Sequence, residues 1–124
     1  MQMQTNERIV RDFLDAWAHL DADEVCAYFT DDIVYHNMPG PPVAGREAVE
    51  RRIRAFLSTW TETRWDVLNV LADGDLVIAE RVDRTVAGEK RVDLPCVGVF
   101  EMRDGKIAVW RDYFDLGTYQ RAMA

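Results

Sequence analysis

The sequence predicts an α+β fold: helices near the N-terminus packed on one face of a bent, mostly antiparallel sheet. Two observations carry this. The first half of the 124-residue chain holds segments with the i, i+3, i+4 apolar spacing of amphipathic helices, interrupted by one short strand. From Trp60 onward the period changes to two, over four segments joined by short turn signals. Helices first and hairpin-linked strands afterwards is the α+β order, not the alternation of a parallel α/β sheet. A curved sheet closed by helices leaves a cone with an internal pocket. A chain of this length is expected to form one domain, residues 1–124.

The elements follow in order. Asn6 to His19 reads as a helix, with Ile9, Phe13 and Trp17 in one stripe, Val10 and Leu14 beside it, and Asn6 as its cap. Asp21 followed by Glu24 has capping-box spacing for a second short helix, with Val25, Tyr28 and Phe29 as its buried side. Asp31 to Met38 reads as a strand, ended by Pro39-Gly40-Pro41-Pro42, because proline continues neither a ladder nor a helix. Gly45 leads into a helix from Arg46 to Thr59 with Val49, Ile53, Phe56 and Leu57 as its apolar stripe. Arg46, Arg51, Arg52 and Arg54, interleaved with Glu47 and Glu50, read as that helix's solvated face.

Trp65 to Ala72 alternates as a strand. Asp73-Gly74-Asp75 turns into a second strand, Leu76 to Val86. Gly88-Glu89 leads to Arg91 to Glu101, where Pro95 implies a bulge or an edge position. Arg103-Asp104-Gly105-Lys106 is an Asp-Gly hairpin turn into the final strand, Ile107 to Phe114. Leu116 to Met123 is a short terminal helix or tail.

Bulk properties narrow the function. A net charge of −7 without a basic stripe excludes phosphate-backbone binding, so no nucleic-acid partner is expected. No apolar run has the length of a membrane span and no signal-like segment opens the sequence, which predicts no membrane association and a cytoplasmic location. Cys26 and Cys96 lack metal-ligand spacing and read as buried structural thiols.

The chemistry sits on three strands. In Leu76 to Val86, Val77, Ala79, Arg81, Asp83 and Thr85 share one face, apolar at its start and then bearing an Arg and an Asp. In the last strand Asp112 lies between Trp110 and Phe114 on one face, so that face is the buried one. A lone buried carboxylate is costly. It becomes reasonable if the forked Arg81 guanidinium bridges Asp83 and Asp112. Such a cluster serves either as a site or as an ion-pair network that only ties strands together. Tyr35 and Asn37, at i and i+2 on the first strand, could hold a water molecule beside a carboxylate; taken alone, they read rather as a core tyrosine and a turn-forming asparagine ahead of the prolines.

Five motifs in order resemble the limonene-1,2-epoxide hydrolase family: Val34-Tyr35-His36-Asn37-Met38-Pro39, Pro42 to Val49, Glu80-Arg81-Val82-Asp83, Gly98-Val99-Phe100-Glu101, and Trp110 to Asp115. The resemblance spans about Asp31 to Asp115. It implies a cone-shaped α+β fold, a curved mixed sheet with N-terminal helices packed on it, shared with ketosteroid isomerase and nuclear transport factor 2. It also implies a homodimer. By the same resemblance Asp112 is the base that, with Tyr35 and Asn37, binds the attacking water; Asp83 is the acid; Arg81 joins the two carboxylates. The implied reaction adds water to a small, mostly apolar cyclic or aryl epoxide, giving a vicinal diol in one step without cofactor or metal. Leu57, Trp65, Leu68, Leu71, Val77, Leu94, Val97 and Phe114 are candidates for the pocket lining.

A covalent ester route needs a histidine in the site. His19 ends a helix and His36 is out of phase with Tyr35 and Asn37. Two other readings remain: proton transfer of the ketosteroid-isomerase or polyketide-cyclase kind, and ligand binding without catalysis. An arginine between two aspartates disfavours the first, because it holds the base in an ion pair.

Overall fold

In the computed structural model, which describes residues 5–124, six strands form one mixed sheet with helices packed against it. The chain runs α1 (Asn6–Ala16), a 3-10 turn (Trp17–His19), α2 (Ala22–Cys26), β1 (Phe29–Asn37), β2 (Val43–Ala44) and α3 (Arg46–Thr59). It then runs β3 (Glu62–Asp73), β4 (Leu76–Ala87), β5 (Lys90–Arg103), β6 (Lys106–Phe114) and α4 (Leu116–Met123). The spatial order is β2-β1-β6-β5-β4-β3. Every neighbouring pair is antiparallel except β1 and β6.

Local details differ from the expectation at the caps and edges. Thr5, not Asn6, caps α1, accepting from the Arg8 amide at 3.1 Å. Asn6 donates instead to the Gly74 carbonyl at 2.9 Å, tying the helix start to the β3–β4 turn. Asp21 caps α2 by accepting from the Asp23 and Glu24 amides. The reciprocal half of the capping box is replaced, since the Glu24 carboxylate meets His19 Nδ1 at 2.9 Å. β1 starts two residues early, at Phe29, which leaves α2 and joins the sheet. β2 was not predicted; it is two residues long and exists only by pairing with Val34 and Tyr35. Pro95 takes the edge alternative: β5 pairs with β6 only from Cys96 onward, and its register with β4 is unbroken.

A bulge in β3 between Val67 and Asn69 shifts the pleat by one residue. Beyond it Val70 and Ala72 face Ala79 and Val77, and Leu71 turns outward with 75% of its surface exposed. The core lies between the inner sheet face and the helices. Trp110 is its centre, stacked on Tyr35 at 4.4 Å and edge-on to Phe13 at 5.0 Å. Trp17 stacks on Trp65 at 4.3 Å. Cys26 and Cys96 are buried free thiols. Among the described residues no helix is long and apolar enough to cross a membrane.

Candidate active site

Three strands deliver polar side chains to one end of this core. On β4 the alternation is unbroken, so Val77, Ala79, Arg81, Asp83 and Thr85 are all buried. On β6 the same period buries Trp110 and Asp112. The parallel register places Tyr35 beside Trp110 and Asn37 beside Asp112. β5 runs between β4 and β6, so any contact from Arg81 to Asp112 must cross it.

Gly98 permits that crossing. It stands opposite Ala79 on one side and Asp112 on the other. A Cβ there would lie 2.8 Å from Arg81 Nη1, 2.9 Å from Asp112 Oδ1 and 2.9 Å from Phe100 Cε1. Only a residue without a side chain leaves room for the bridge.

Arg81 is fully buried and makes two forked pairs. Nε and Nη2 donate to Asp83 Oδ1 and Oδ2 at 2.8 and 3.2 Å. Nη1 and Nη2 donate to Asp112 Oδ1 and Oδ2 at 3.0 and 2.5 Å. The guanidinium carbon lies 4.6 Å from the Trp65 ring centre, a cation–π contact. Trp110 Nε1 donates to Asp112 Oδ1 at 2.7 Å. Cys96 Sγ lies 3.4 Å from Asp83 Oδ2. Behind the site, Trp65 Nε1 donates to Thr63 Oγ1 at 3.0 Å, and Thr63 and Thr85 share a 2.7 Å hydrogen bond.

Burial and charge act in opposite directions here. Burial alone would lower the Arg81 pKa, but Asp112 and Asp83 outweigh it and hold the guanidinium well above its ordinary value. Burial raises the Asp83 carboxyl most; Arg81 opposes this and Asp112 adds to it, leaving Asp83 pushed up to about 6. Tyr35 is pushed far above the usual phenol range by burial and then by the Asp112 charge, so it stays protonated. Burial likewise keeps Cys96 a thiol. Asp83 therefore keeps its proton to higher pH than an ordinary carboxyl, beside a guanidinium that stays charged.

A cavity of about 260 Å³ opens onto these groups. Tyr35, Asn37, Asp83, Cys96 and Asp112 face it at one end. Its walls are Trp17, Phe56, Trp60, Trp65, Leu94, Phe114 and Tyr119. Pro39, Gly40, Arg52 and Leu116 are exposed and mark where it meets solvent.

All five residues singled out from the sequence come together: Arg81, Asp83 and Asp112 in direct contact, with Tyr35 and Asn37 on the same cavity. Of the lining candidates, Trp65, Leu94 and Phe114 belong to it. The others do not. Leu68, Leu71 and Val97 are exposed, while Val77 and Leu57 pack into the core. His36 points away, donating through Nε2 to the Gly40 carbonyl at 2.8 Å. The sequence reading missed Cys96 as a neighbour of Asp83, Gly98 as the gap for the bridge, and Arg52. Strand parity carried a signal for the first two, since Cys96, Gly98 and Phe100 share a face.

Comparison with known proteins adds to this geometry. The SnoaL-like domain model matches residues 10–110. The chain is 36% identical over 107 residues to the epoxide hydrolase EphG of Mycobacterium tuberculosis, covering 86% of this chain and 71% of that protein. It superposes on the structure of an M. tuberculosis LEH-like epoxide hydrolase with a TM-score of 0.83 at 33% identity, covering 95% of this chain and 89% of that one. It superposes on a putative polyketide cyclase from Xanthomonas campestris with a TM-score of 0.84 at 23% identity, covering 97% and 100%. At that identity the last likeness shows the fold alone: a cone-shaped α+β architecture around a curved mixed sheet.

Proposed function

The chain belongs to the SnoaL-like domain family and to the limonene-1,2-epoxide hydrolase family, and from that premise we propose that it hydrolyses epoxides to vicinal diols. The observation that carries this reading is the double fork of Arg81, which fixes two carboxylates beside one guanidinium on an apolar cavity.

An oxirane is strained, but its alkoxide is a poor leaving group. Opening it near neutral pH needs a proton at oxygen and a nucleophile at carbon together. Asp83, raised to about 6 by burial, keeps its proton between about pH 4 and pH 6, where an ordinary carboxyl has lost it, keeps a fraction of it near neutrality, and serves as the acid. Asp112 accepts from Arg81 and Trp110 and serves as the base. Tyr35 and Asn37 orient the water against Asp112. The water oxygen attacks one ring carbon and loses its proton to Asp112; the C–O bond of that same carbon, on the side away from the water, breaks, and its oxygen takes the Asp83 proton. Return of a proton from Asp112 to Asp83 closes the cycle. Each proton transfer contributes roughly 10²–10⁴ in rate.

This mechanism uses water directly, so no carboxylate is esterified. A single turnover in ¹⁸O-labelled water should leave label in the diol and none in Asp112 or Asp83. Label in a protein carboxylate would overturn direct attack. Absence of diol from a panel of cyclic, aryl and aliphatic epoxides would overturn the activity itself. Asp112→Asn should abolish diol formation with the fold intact.

A further inference from the structure

The cavity carries one charged side chain that the proposed chemistry leaves unused. Arg52 lies on α3 and lines the cavity where it meets solvent. The other arginines of α3 have acidic partners: Arg46 Nε meets Glu50 at 3.1 Å, Arg51 Nη1 meets Glu47 at 3.2 Å, and Arg54 pairs with Asp23. Arg52 has no acidic partner among the described residues. Its neighbours one helical turn away are Ala48, Val49, Ala55 and Phe56, so its own helix offers no carboxylate. The two acids of the cavity, Asp83 and Asp112, are already committed to Arg81. In a chain of net charge −7, an uncommitted cation beside a pocket is not what composition supplies by default.

The surroundings of Arg52 are apolar. Phe56, one turn on, lines the same cavity and stacks on Trp60 at 5.9 Å. Trp60 spends its indole N–H on the Tyr119 hydroxyl at 3.1 Å. Pro39 has no backbone donor, and the Gly40 amide is bound to the Asn37 carbonyl at 2.8 Å. The rim therefore presents one free cationic fork above an aromatic chamber. That arrangement fits an amphipathic molecule with its apolar body inside and an anionic end outside. A planar guanidinium matches a carboxylate in a two-point contact.

We propose that the epoxide substrate bears a carboxylate held by Arg52 at the rim, while its apolar body places the oxirane against Asp83 and Asp112. The proposal rests on the epoxide hydrolase reading and names the substrate class for that site. Binding at the remote end also fixes which end enters and so aligns the ring with the acid and the water.

A matched pair tests it: an epoxyalkanoic acid and its methyl ester, assayed for diol, with the ratio of their kcat/KM values as the readout. The wild type should favour the acid by about fivefold or more, a preference that falls as salt is added. Arg52→Gln should bring the ratio to about one, and Arg52→Lys should restore part of it. A wild-type ratio of one or below, or a ratio that Arg52→Gln leaves unchanged, overturns the proposal. A second arm reads binding without turnover: quenching of the cavity tryptophans by decanoate and by methyl decanoate. If neither epoxide yields diol, the hydrolase reading fails, and this arm still decides whether Arg52 selects a carboxylate. Equal decanoate binding by wild type and Arg52→Gln would exclude it.

Discussion

An arginine flanked by two carboxylates cancels one of their two charges, and burial makes the second expensive. The surplus falls on Asp83, whose carboxyl is raised to about 6 first by burial and then by the Asp112 charge, against the pull of Arg81. An acid must hold its proton to give it, so kcat/KM should fall about tenfold per pH unit as pH rises through about 6. A pH–rate profile checks this; a flat profile from pH 5 to about 8 would remove Asp83 from the acid's role. Asp83→Asn keeps the shape and loses the proton, and should abolish turnover. Gly98 makes a separate prediction. In Gly98→Ala the new methyl would sit 2.8 Å from Arg81 Nη1 and 2.9 Å from Asp112 Oδ1, both held in a buried network. Overpacking of that kind costs about 1–3 kcal/mol. Urea unfolding should show that loss, and diol formation should fall by more than the loss of folded protein explains. The polar residues of the site were legible because two-residue periodicity is local: Arg81 with Asp83, Trp110 with Asp112, and Tyr35 with Asn37 each share a face whatever the rest of the chain does. Gly98 and Cys96 carried only a parity signal, because their importance lies in what the neighbouring strands β4 and β6 place beside them.

Elements were legible where they repeat and illegible where they depend on a partner. The helix from Arg46 to Thr59 matches its reading to the residue, since its stripe and its Gly45 start are both in the sequence. β2 escaped because two residues carry no period, and the β3 bulge escaped because nothing local announces it. That bulge explains why strict alternation misassigned Leu71 to the pocket. α4, readable only as a helix or a tail, walls the cavity through Tyr119 and packs on Val92, Leu94 and Cys96 of β5. Its start depends on Asp115, which accepts from the Thr118 amide at 3.1 Å and its hydroxyl at 2.7 Å. Asp115→Ala should fray this short helix at a cost of about 1 kcal/mol. The expected result is a several-fold rise in KM with a smaller change in kcat and little change in the global unfolding midpoint, because α4 is peripheral to the core around Trp110. Unchanged KM would mean that α4 does not shape the substrate chamber.

On the scale of the whole molecule, the same buried proton links the site to stability. A carboxyl raised on folding binds its proton more tightly in the native state than in the unfolded chain. Its contribution is fully present below the ordinary carboxyl value of 3.8 and is lost as pH rises through about 6. Surface carboxyls behave oppositely: Asp32, held down to about 2 by its hydrogen bonds to Arg103 and Thr30, stabilises above its ordinary value and loses that as pH falls. Asp66, bound to Arg84, and Asp115, bound to Thr118, share that sign. A bare pH–stability curve therefore mixes two opposed trends. Subtraction separates them, because Asp83→Asn removes only the Asp83 proton and leaves the surface pairs in place. At about pH 8 the wild type keeps an ionised Asp83 in its core and the variant does not; near pH 4 both are neutral there. The unfolding free energy of Asp83→Asn relative to wild type should rise between about pH 4 and pH 8. The ceiling is on the order of 3 kcal/mol, the value of a carboxyl moved from 3.8 to about 6. Urea unfolding of both proteins at the two pH values gives the difference directly. A difference that does not change with pH would mean that folding leaves the Asp83 proton affinity at its ordinary value, and the site would then have no proton to give an epoxide near neutral pH.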